Sequence, residues 1–173
     1  SIKYKARLVI CGYSQVQGRD YDQTYAPTVA VLVIMLVMHV AVTLQFFGGT
    51  FDVASAFLNA SNDFANFGLL PKGLTGDTHS LRMRIHQAMY GEKQAPMLWN
   101  EMLHKILLEL GFKRCPVAPC LYFYMSGDNI AILTIHVDDG LLFTSYEPLL
   151  IEFIHQIEKH LPKVTLTRPL QKY

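Results

Sequence analysis

The sequence has few of the features that mark secreted, repeat or strongly nucleic-acid-binding proteins. Its three cysteines form no CxxC pair, and an odd count favours free thiols in a reducing compartment over a disulfide framework. Charged residues make up only 17% of the 173 residues, and the formal net charge is +1. That charge neither indicates nor excludes a nucleic-acid partner, because local patches matter more than the total. With no repeat, low-complexity tract or linker and with 51% hydrophobic residues, the chain suits one globular domain.

One hydrophobic run, Val29 to Phe47, is long enough to span a bilayer. His39 and Thr43 interrupt it, no basic cluster flanks it closely, and it follows Pro27 as a helix would. It is internal and lacks a charged leader, so it is not a signal peptide. We expect a buried core helix and no membrane partner, with a membrane span as the alternative.

Periodicity elsewhere predicts a mixture of helices and strand pairs. Helices are predicted for residues 97–112, where Leu103 and Leu107 share one face and Gly111 is a stop signal, and for residues 147–162. Strands are predicted at IKYKARLVICGYS (2–14), at the start of TFDVASAFLNA (50–60, after the Gly48–Gly49 break), at HSLRMRIHQ (79–87), and twice in CLYFYMSGDNIAILTIHV (120–137), around a Gly–Asp turn. Because the hairpins are too short for parallel crossovers, the fold class is α+β with an antiparallel sheet.

Two adjacent acids, Asp138 and Asp139, interrupt the apolar stretch IAILTIHVDDGLLFTS. An unpaired buried charge is unfavourable there. Asp-Gly is a strong hairpin signal because both central residues of such a turn need positive φ, so Asp139 and Gly140 are expected to form the turn. Turn chemistry does not explain Asp138.

Asp52, in FDVASAF, is the other clear acid inside an apolar element. Carboxylates from neighbouring strands form the oxygen-rich clamp that Mg²⁺ prefers, and two-metal clamps of this kind serve phosphoryl transfer. The spacing alone fits many folds, and Asp52 could equally cap the helix predicted after it.

Four blocks of sequence, taken together, resemble the reverse transcriptase of copia-type LTR retrotransposon polyproteins. They are YKARLVICGYSQVQGRDYDQTYAPT, FDVASAFLN, AMYGEKQAPMLWNEMLHKILLELGFKRCPVAPCLYFY and IHVDDGLLF, and they occur in the family's order. The resemblance covers about Tyr4 to Leu161. The resemblance implies the fingers and palm of a right-hand polymerase, with the thumb absent or incomplete. We expect residues 1–173 to be a single domain. Because the sequence begins at Ser1 and not at an initiator Met, we also expect it to be a fragment of a longer polyprotein.

The resemblance also implies roles for individual residues. Asp52, Asp138 and Asp139 would be catalytic, with Asp52 and Asp138 sharing two Mg²⁺ ions and Mn²⁺ as a possible substitute. The implied nucleotide-binding residues are Lys5, Arg7, Phe57 and Gln94. Each of these has a plainer interpretation: solvated charge on an edge strand for Lys5 and Arg7, core packing for Phe57, and a polar loop residue for Gln94.

Other basic residues, Arg82, Arg84 and Lys113–Arg114, could contact a template backbone, although solvation explains them equally well. Cys115 and Cys120 do not have a recognisable zinc spacing.

The expected function is RNA-directed DNA synthesis on an RNA or DNA template with a primer and deoxynucleoside triphosphates. The expected location is intracellular, in a cytoplasmic virus-like particle. Several positions depart from the family pattern: Gly140 replaces a larger apolar residue, Glu92 an apolar one, Met97 a usual Arg, and the helix after Pro27 has lost its charges. The alternative function is therefore a catalytically inactive, degenerate remnant of the same domain.

Overall fold

The computed structural model describes residues 4, 6–71, 81–161 and 164–170, without the side chains of 166–170. The chain divides into two compact units, residues 1–26 with 57–99 and residues 27–56 with 100–173. The structure is a mixed α/β fold with an antiparallel sheet, as predicted. That residues 1–173 act as a single domain stays a prediction.

The first unit contains a two-stranded antiparallel ribbon of β2 (Ser61–Leu69) and β3 (Arg82–Gln87). Strand β3 was predicted and β2 was not. The strand expected over residues 2–14 is wrong in its described part, where the regular structure is a 3-10 helix over Gly12–Ser14. Alternation alone does not make a strand, because a strand needs a ladder partner. This segment has none among the described residues, and its Leu8 and Val9 are exposed.

The second unit contains a six-stranded sheet in its described part, with the strand order β4-β5-β6-β7-β1-β8. All five pairings are antiparallel. The strands are β1 (Phe47–Val53), β4 (Lys113–Arg114), β5 (Leu121–Ser126), β6 (Asn129–His136), β7 (Asp139–Thr144) and β8 (Val164–Leu170). Gly48 and Gly49, expected to form a break, are buried within β1. The helix predicted after β1 is a short 3-10 helix over Ala56–Asn59.

Helices α2 (Ala95–Glu109) and α3 (Glu147–His160) lie where periodicity predicted them. Leu103 and Leu107 are buried, and Gly111 follows α2 with a φ of 85°, as a helix stop requires. The buried Phe153 of α3 packs its ring against Phe112, with the ring centroids 4.7 Å apart. Burying each such side chain contributes about 1.5–3 kcal/mol.

Helix α1 (Val31–Thr43) confirms the predicted helix but not its predicted burial. Only Val37 and Ala41 are buried, and they pack on Leu121, Ile132 and Phe143 of the sheet. Several apolar side chains of α1 are exposed, among them Leu32 at 77%. The described helices include none with both the length and the apolar character needed to cross a bilayer.

Candidate active site

Two of the three candidate carboxylates come from adjacent strands of the six-stranded sheet, and the third comes from the turn before the second strand. Asp52 near the end of β1 pairs in register with Asp139, the first residue of β7. Directly opposite residues in an antiparallel pair point to the same face, with Cβ atoms about 4.5–5.5 Å apart. Asp138 lies in the turn just before Asp139, and its carbonyl oxygen accepts a hydrogen bond from the Val53 N–H at 3.1 Å. The fold therefore brings together residues that are far apart in sequence.

The turn that carries Asp138 lies two residues earlier than the sequence predicted. Strand β6 ends at His136 and β7 begins at Asp139, so Val137 and Asp138 are the central residues of the turn. Val137 has a φ of 60°, and Asp138 and Gly140 are not among the described residues with positive φ. A positive φ at the first central residue alone is the pattern of a type II′ turn. The expected Asp139–Gly140 turn is wrong.

Gly140 serves packing instead of the turn. It lies opposite Phe51 in the β1–β7 register, and a Cβ atom on Gly140 would overlap the Phe51 ring. Phe51 is only 2% exposed, so its ring has little room to move aside. The glycine that departs from the family pattern therefore makes room for a bulky side chain on the neighbouring strand.

The carboxylates influence one another electrostatically. Partial desolvation is the largest effect that raises the pKa of Asp139, followed by the negative charges of Asp138 and Asp52, while His136 opposes the shift. His136 lies opposite Asp139 on β6 and is exposed. The three acids thus concentrate negative charge where the end of β1 meets the start of β7, which favours a cation there.

Carboxylate oxygens are the ligands that Mg²⁺ prefers, so the chemistry of this donor set fits a divalent ion. Within the described residues, however, no three or more His, Cys, Asp or Glu side chains are arranged so that they could hold a metal ion. Asp52 and Asp138 alone would leave most ligand positions to water or substrate, as is usual for Mg²⁺.

Two of the nucleotide-site candidates meet on one aromatic ring in the first unit. The Arg7 guanidinium carbon lies 4.4 Å from the centroid of the Tyr90 ring. The Phe57 and Tyr90 ring centroids are 4.8 Å apart at an interplanar angle of 51°. Arg7 does not belong to a strand, and Lys5 lies outside the described residues, so the predicted face shared by the two is not tested.

Gln94 is 0% exposed, and both ends of its amide are hydrogen-bonded. Its Oε1 accepts from Gln15 Nε2 and its Nε2 donates to Glu92 Oε1, each at 3.1 Å. Glu92 Oε1 also accepts hydrogen bonds from the side chains of Asn62 and Asn66. Contact between Gln94 and a nucleotide would require it to exchange these bonds.

The comparisons with known proteins decide the family. The family described as "Reverse transcriptase (RNA-dependent DNA polymerase)" matches residues 1–173. The chain belongs to this reverse transcriptase family. The copia-type resemblance is thereby confirmed, and the family is one of nucleotidyltransferases.

Three relatives are Pol polyproteins of plant transposons, each named as retrovirus-related. The chain is 33% identical over 150 residues to that of transposon RE1 of Arabidopsis thaliana, covering 86% of this chain and 10% of the relative. It is 31% identical over 144 residues to that of transposon TNT 1-94 of Nicotiana tabacum (82% and 11%) and 33% identical over 151 residues to that of transposon RE2 of Arabidopsis thaliana (87% and 10%). The chain thus spans about a tenth of these polyproteins.

The basic residues of this reverse transcriptase chain differ in how they are engaged. Arg114 donates from Nε to the Pro119 carbonyl at 2.6 Å and from Nη2 to Asn100 Oδ1 at 3.0 Å. Lys113, Arg82 and Arg84 are exposed. Template contact therefore remains a prediction for these residues, and it is least favoured for Arg114.

Sequence reasoning missed two residues that organise the first unit of the reverse transcriptase chain. Tyr90 contacts both Arg7 and Phe57, and it lies in the YGEKQAP block that helped to identify the family. Glu92 was noted only as a departure from the family pattern, yet it is buried at the centre of an amide network. The motif was a usable signal for Tyr90, whereas nothing in the sequence predicted the Glu92 partners.

Proposed function

We propose that the chain is the RNA-directed DNA polymerase domain of a copia-type retrotransposon. It would add deoxynucleotides to a primer 3′-hydroxyl by two-metal phosphoryl transfer, with the first unit as fingers and the sheet of the second unit as palm. The observation that carries the proposal is the pairing of Asp52 on β1 with Asp139 on the adjacent β7, next to Asp138 in the turn that is hydrogen-bonded to Val53. Membership of the reverse transcriptase family supports it.

In this proposal Asp52 and Asp138 hold two Mg²⁺ ions, for which Mn²⁺ can substitute. When bound, such ions lower the pKa of the attacking hydroxyl and neutralise charge on the triphosphate. Asp139 adds negative charge beside them, and the bond between Val53 N–H and the Asp138 carbonyl keeps the turn against β1. The incoming triphosphate is attacked at its α-phosphorus and releases pyrophosphate, with no covalent enzyme intermediate.

The first unit would bind the incoming nucleotide. Lys5 and Arg7 supply positive charge for the triphosphate, and the Phe57 ring lies beneath the sugar, where it disfavours a 2′-hydroxyl. Gln94 completes the candidate set and would act only after leaving Glu92 and Gln15. The half-buried Phe57 and the exposed Arg7 are consistent with ligand contact.

The proposed partners are an RNA or DNA template with its primer, deoxynucleoside triphosphates and the rest of the polyprotein. The polyprotein is supported by relatives of which this chain covers about 10%. As part of such a polyprotein, the domain would act inside the cell, in a cytoplasmic virus-like particle.

Primer extension on poly(rA)/oligo(dT) with Mg²⁺ or Mn²⁺ tests the proposal. Asp138→Asn should reduce extension by roughly a thousandfold or more, because it removes a metal ligand from a site that depends on charge stabilisation. The matched control is Asp128→Asn, in the turn between β5 and β6 of the same sheet, which should leave extension unchanged.

Absence of extension by the folded wild-type chain would instead support the inactive remnant. The specific observation in favour of that alternative is the set of departures from the family pattern, among them Met97 in place of a usual Arg.

A further inference from the structure

We propose that Tyr90 is a positioning residue of the nucleotide site, whose aromatic ring holds Arg7 and Phe57 beside each other. The inference rests on the proposed function of Arg7 and Phe57. It assigns a role to Tyr90, which is neither a proposed metal ligand nor a proposed nucleotide-binding residue. Tyr90 would act through these two neighbours and need not touch the nucleotide.

The ring contacts are of two kinds. A guanidinium 4.4 Å from the ring centroid is within the range of a cation–π interaction, which restrains the long Arg7 side chain. The ring centroids of Phe57 and Tyr90, 4.8 Å apart and tilted by 51°, are within the range of favourable aromatic pairs. The half-buried Tyr90 ring thus contacts both Arg7, which is proposed to bind the triphosphate, and Phe57, which is proposed to lie beneath the sugar.

The backbone at Tyr90 also holds the segment that carries Arg7 against the segment that carries Tyr90. Ile10 lies three residues after Arg7, and its N–H donates a hydrogen bond to the Tyr90 carbonyl at 2.8 Å. Gly91 has a φ of 92°, and a Cβ atom there would overlap the Ile10 carbonyl, so only glycine permits this approach. The segment that carries Arg7 is exposed and lacks strand pairing in its described part, which makes this anchor important for the position of the guanidinium.

Both contacts are made by the aromatic ring of Tyr90, so the role is assigned to the ring and not to the hydroxyl group. Tyr90→Phe keeps both ring contacts, whereas Tyr90→Leu removes them while leaving an apolar side chain. The Phe variant is therefore the matched control for the Leu variant.

The experiment measures equilibrium binding of dTTP and of UTP to the whole chain on poly(rA) with a dideoxy-terminated oligo(dT) primer and Mg²⁺. We expect Tyr90→Leu to weaken dTTP binding roughly two- to thirtyfold, the range of a cation–π contact. It should also reduce the preference for dTTP over UTP, because Phe57 loses its neighbour. Tyr90→Phe should match the wild type in both measurements.

A double-mutant cycle separates positioning from general damage. In an Arg7→Met background, Tyr90→Leu should weaken dTTP binding less than it does in the wild type, because the shared contact is already gone. Equal weakening in both backgrounds, together with an unchanged dTTP-over-UTP ratio, would overturn the inference.

Two further outcomes are distinguishable. If the folded wild type binds no dTTP, the proposed function fails, whereas wild-type binding that Tyr90→Leu does not change refutes only the role of Tyr90. If Tyr90→Leu does not fold, the Arg7 δ-methylene proton shifts of the wild type decide: ring-current upfield shifts support the contact, and random-coil shifts overturn it.

Discussion

At the residue scale, the hairpin with the candidate acids uses its residues in an unexpected way. The β-branched Val137 occupies the left-handed region, which is unfavourable by about 1–3 kcal/mol, although Gly140 is only three positions away. Gly140 is needed where Phe51 crosses it. The turn persists because its neighbours determine it, through the pairing of His136 with Asp139 and the bond from Val53 to Asp138. Strain at this position is consistent with a functional turn.

Gly140→Ala should destabilise the domain by roughly 1–3 kcal/mol or more, since the new methyl group would overlap the buried Phe51 ring. Adding Phe51→Leu should recover part of this loss, because the shorter side chain vacates the space of the ring atoms. Urea unfolding of the two single variants and the double variant measures the coupling. Strictly additive effects would show that the two positions do not share this space.

At the element scale, the sequence was most informative where an element buries one face. Helices α2 and α3 and the β5–β6 hairpin were predicted because their apolar spacing matches the packing they adopt. The strand predicted before Gly12 was wrong because alternation carries no information about a partner strand. Strand β2 was missed because its polar Asn62 and Asn66 are buried through hydrogen bonds to Glu92, which periodicity does not reveal.

The candidate site shows the same division. Asp52, Asp138 and Asp139 could be selected from sequence because acids are rare within apolar elements, and the structure lets Asp52 and Asp139 meet in register. The exchange of turn and packing roles between Val137 and Gly140 could not be predicted, since it depends on the cross-strand neighbour Phe51.

Helix α1 offers a direct test of how little of it belongs to the core. Leu36 is exposed and Val37 is buried against the sheet, although they are adjacent on the same helix. Leu36→Asn should lose a few tenths of a kcal/mol of helix propensity and Val37→Asn almost none, because Leu is the better helix former and Val and Asn rank alike. Only Val37→Asn buries an amide. In urea unfolding, we expect the free energy of unfolding of the Val37 variant to be about 2–4 kcal/mol lower than that of the Leu36 variant. Equal losses would indicate that the Leu36 face is covered in solution.

At the scale of the whole molecule, the candidate catalytic acids and the candidate nucleotide-binding residues belong to different units. The acids belong to the sheet of the second unit, and Arg7, Phe57 and Gln94 belong to the first. Polymerisation as proposed therefore needs both units, whereas binding of a divalent ion requires only the acids of β1 and the β6–β7 turn. The ion site can thus be tested separately from the rest of the reaction.

The measurement that tests this ion site most directly is a Mn²⁺ titration followed by ¹H–¹⁵N correlation spectra of the whole chain. Paramagnetic broadening should be strongest at the amides of Asp52, Val53 and residues 138–140. Asp138→Asn should weaken that local broadening, and Asp128→Asn should leave it unchanged. Broadening centred elsewhere, or a pattern that survives Asp138→Asn, would contradict a metal-binding role for these carboxylates.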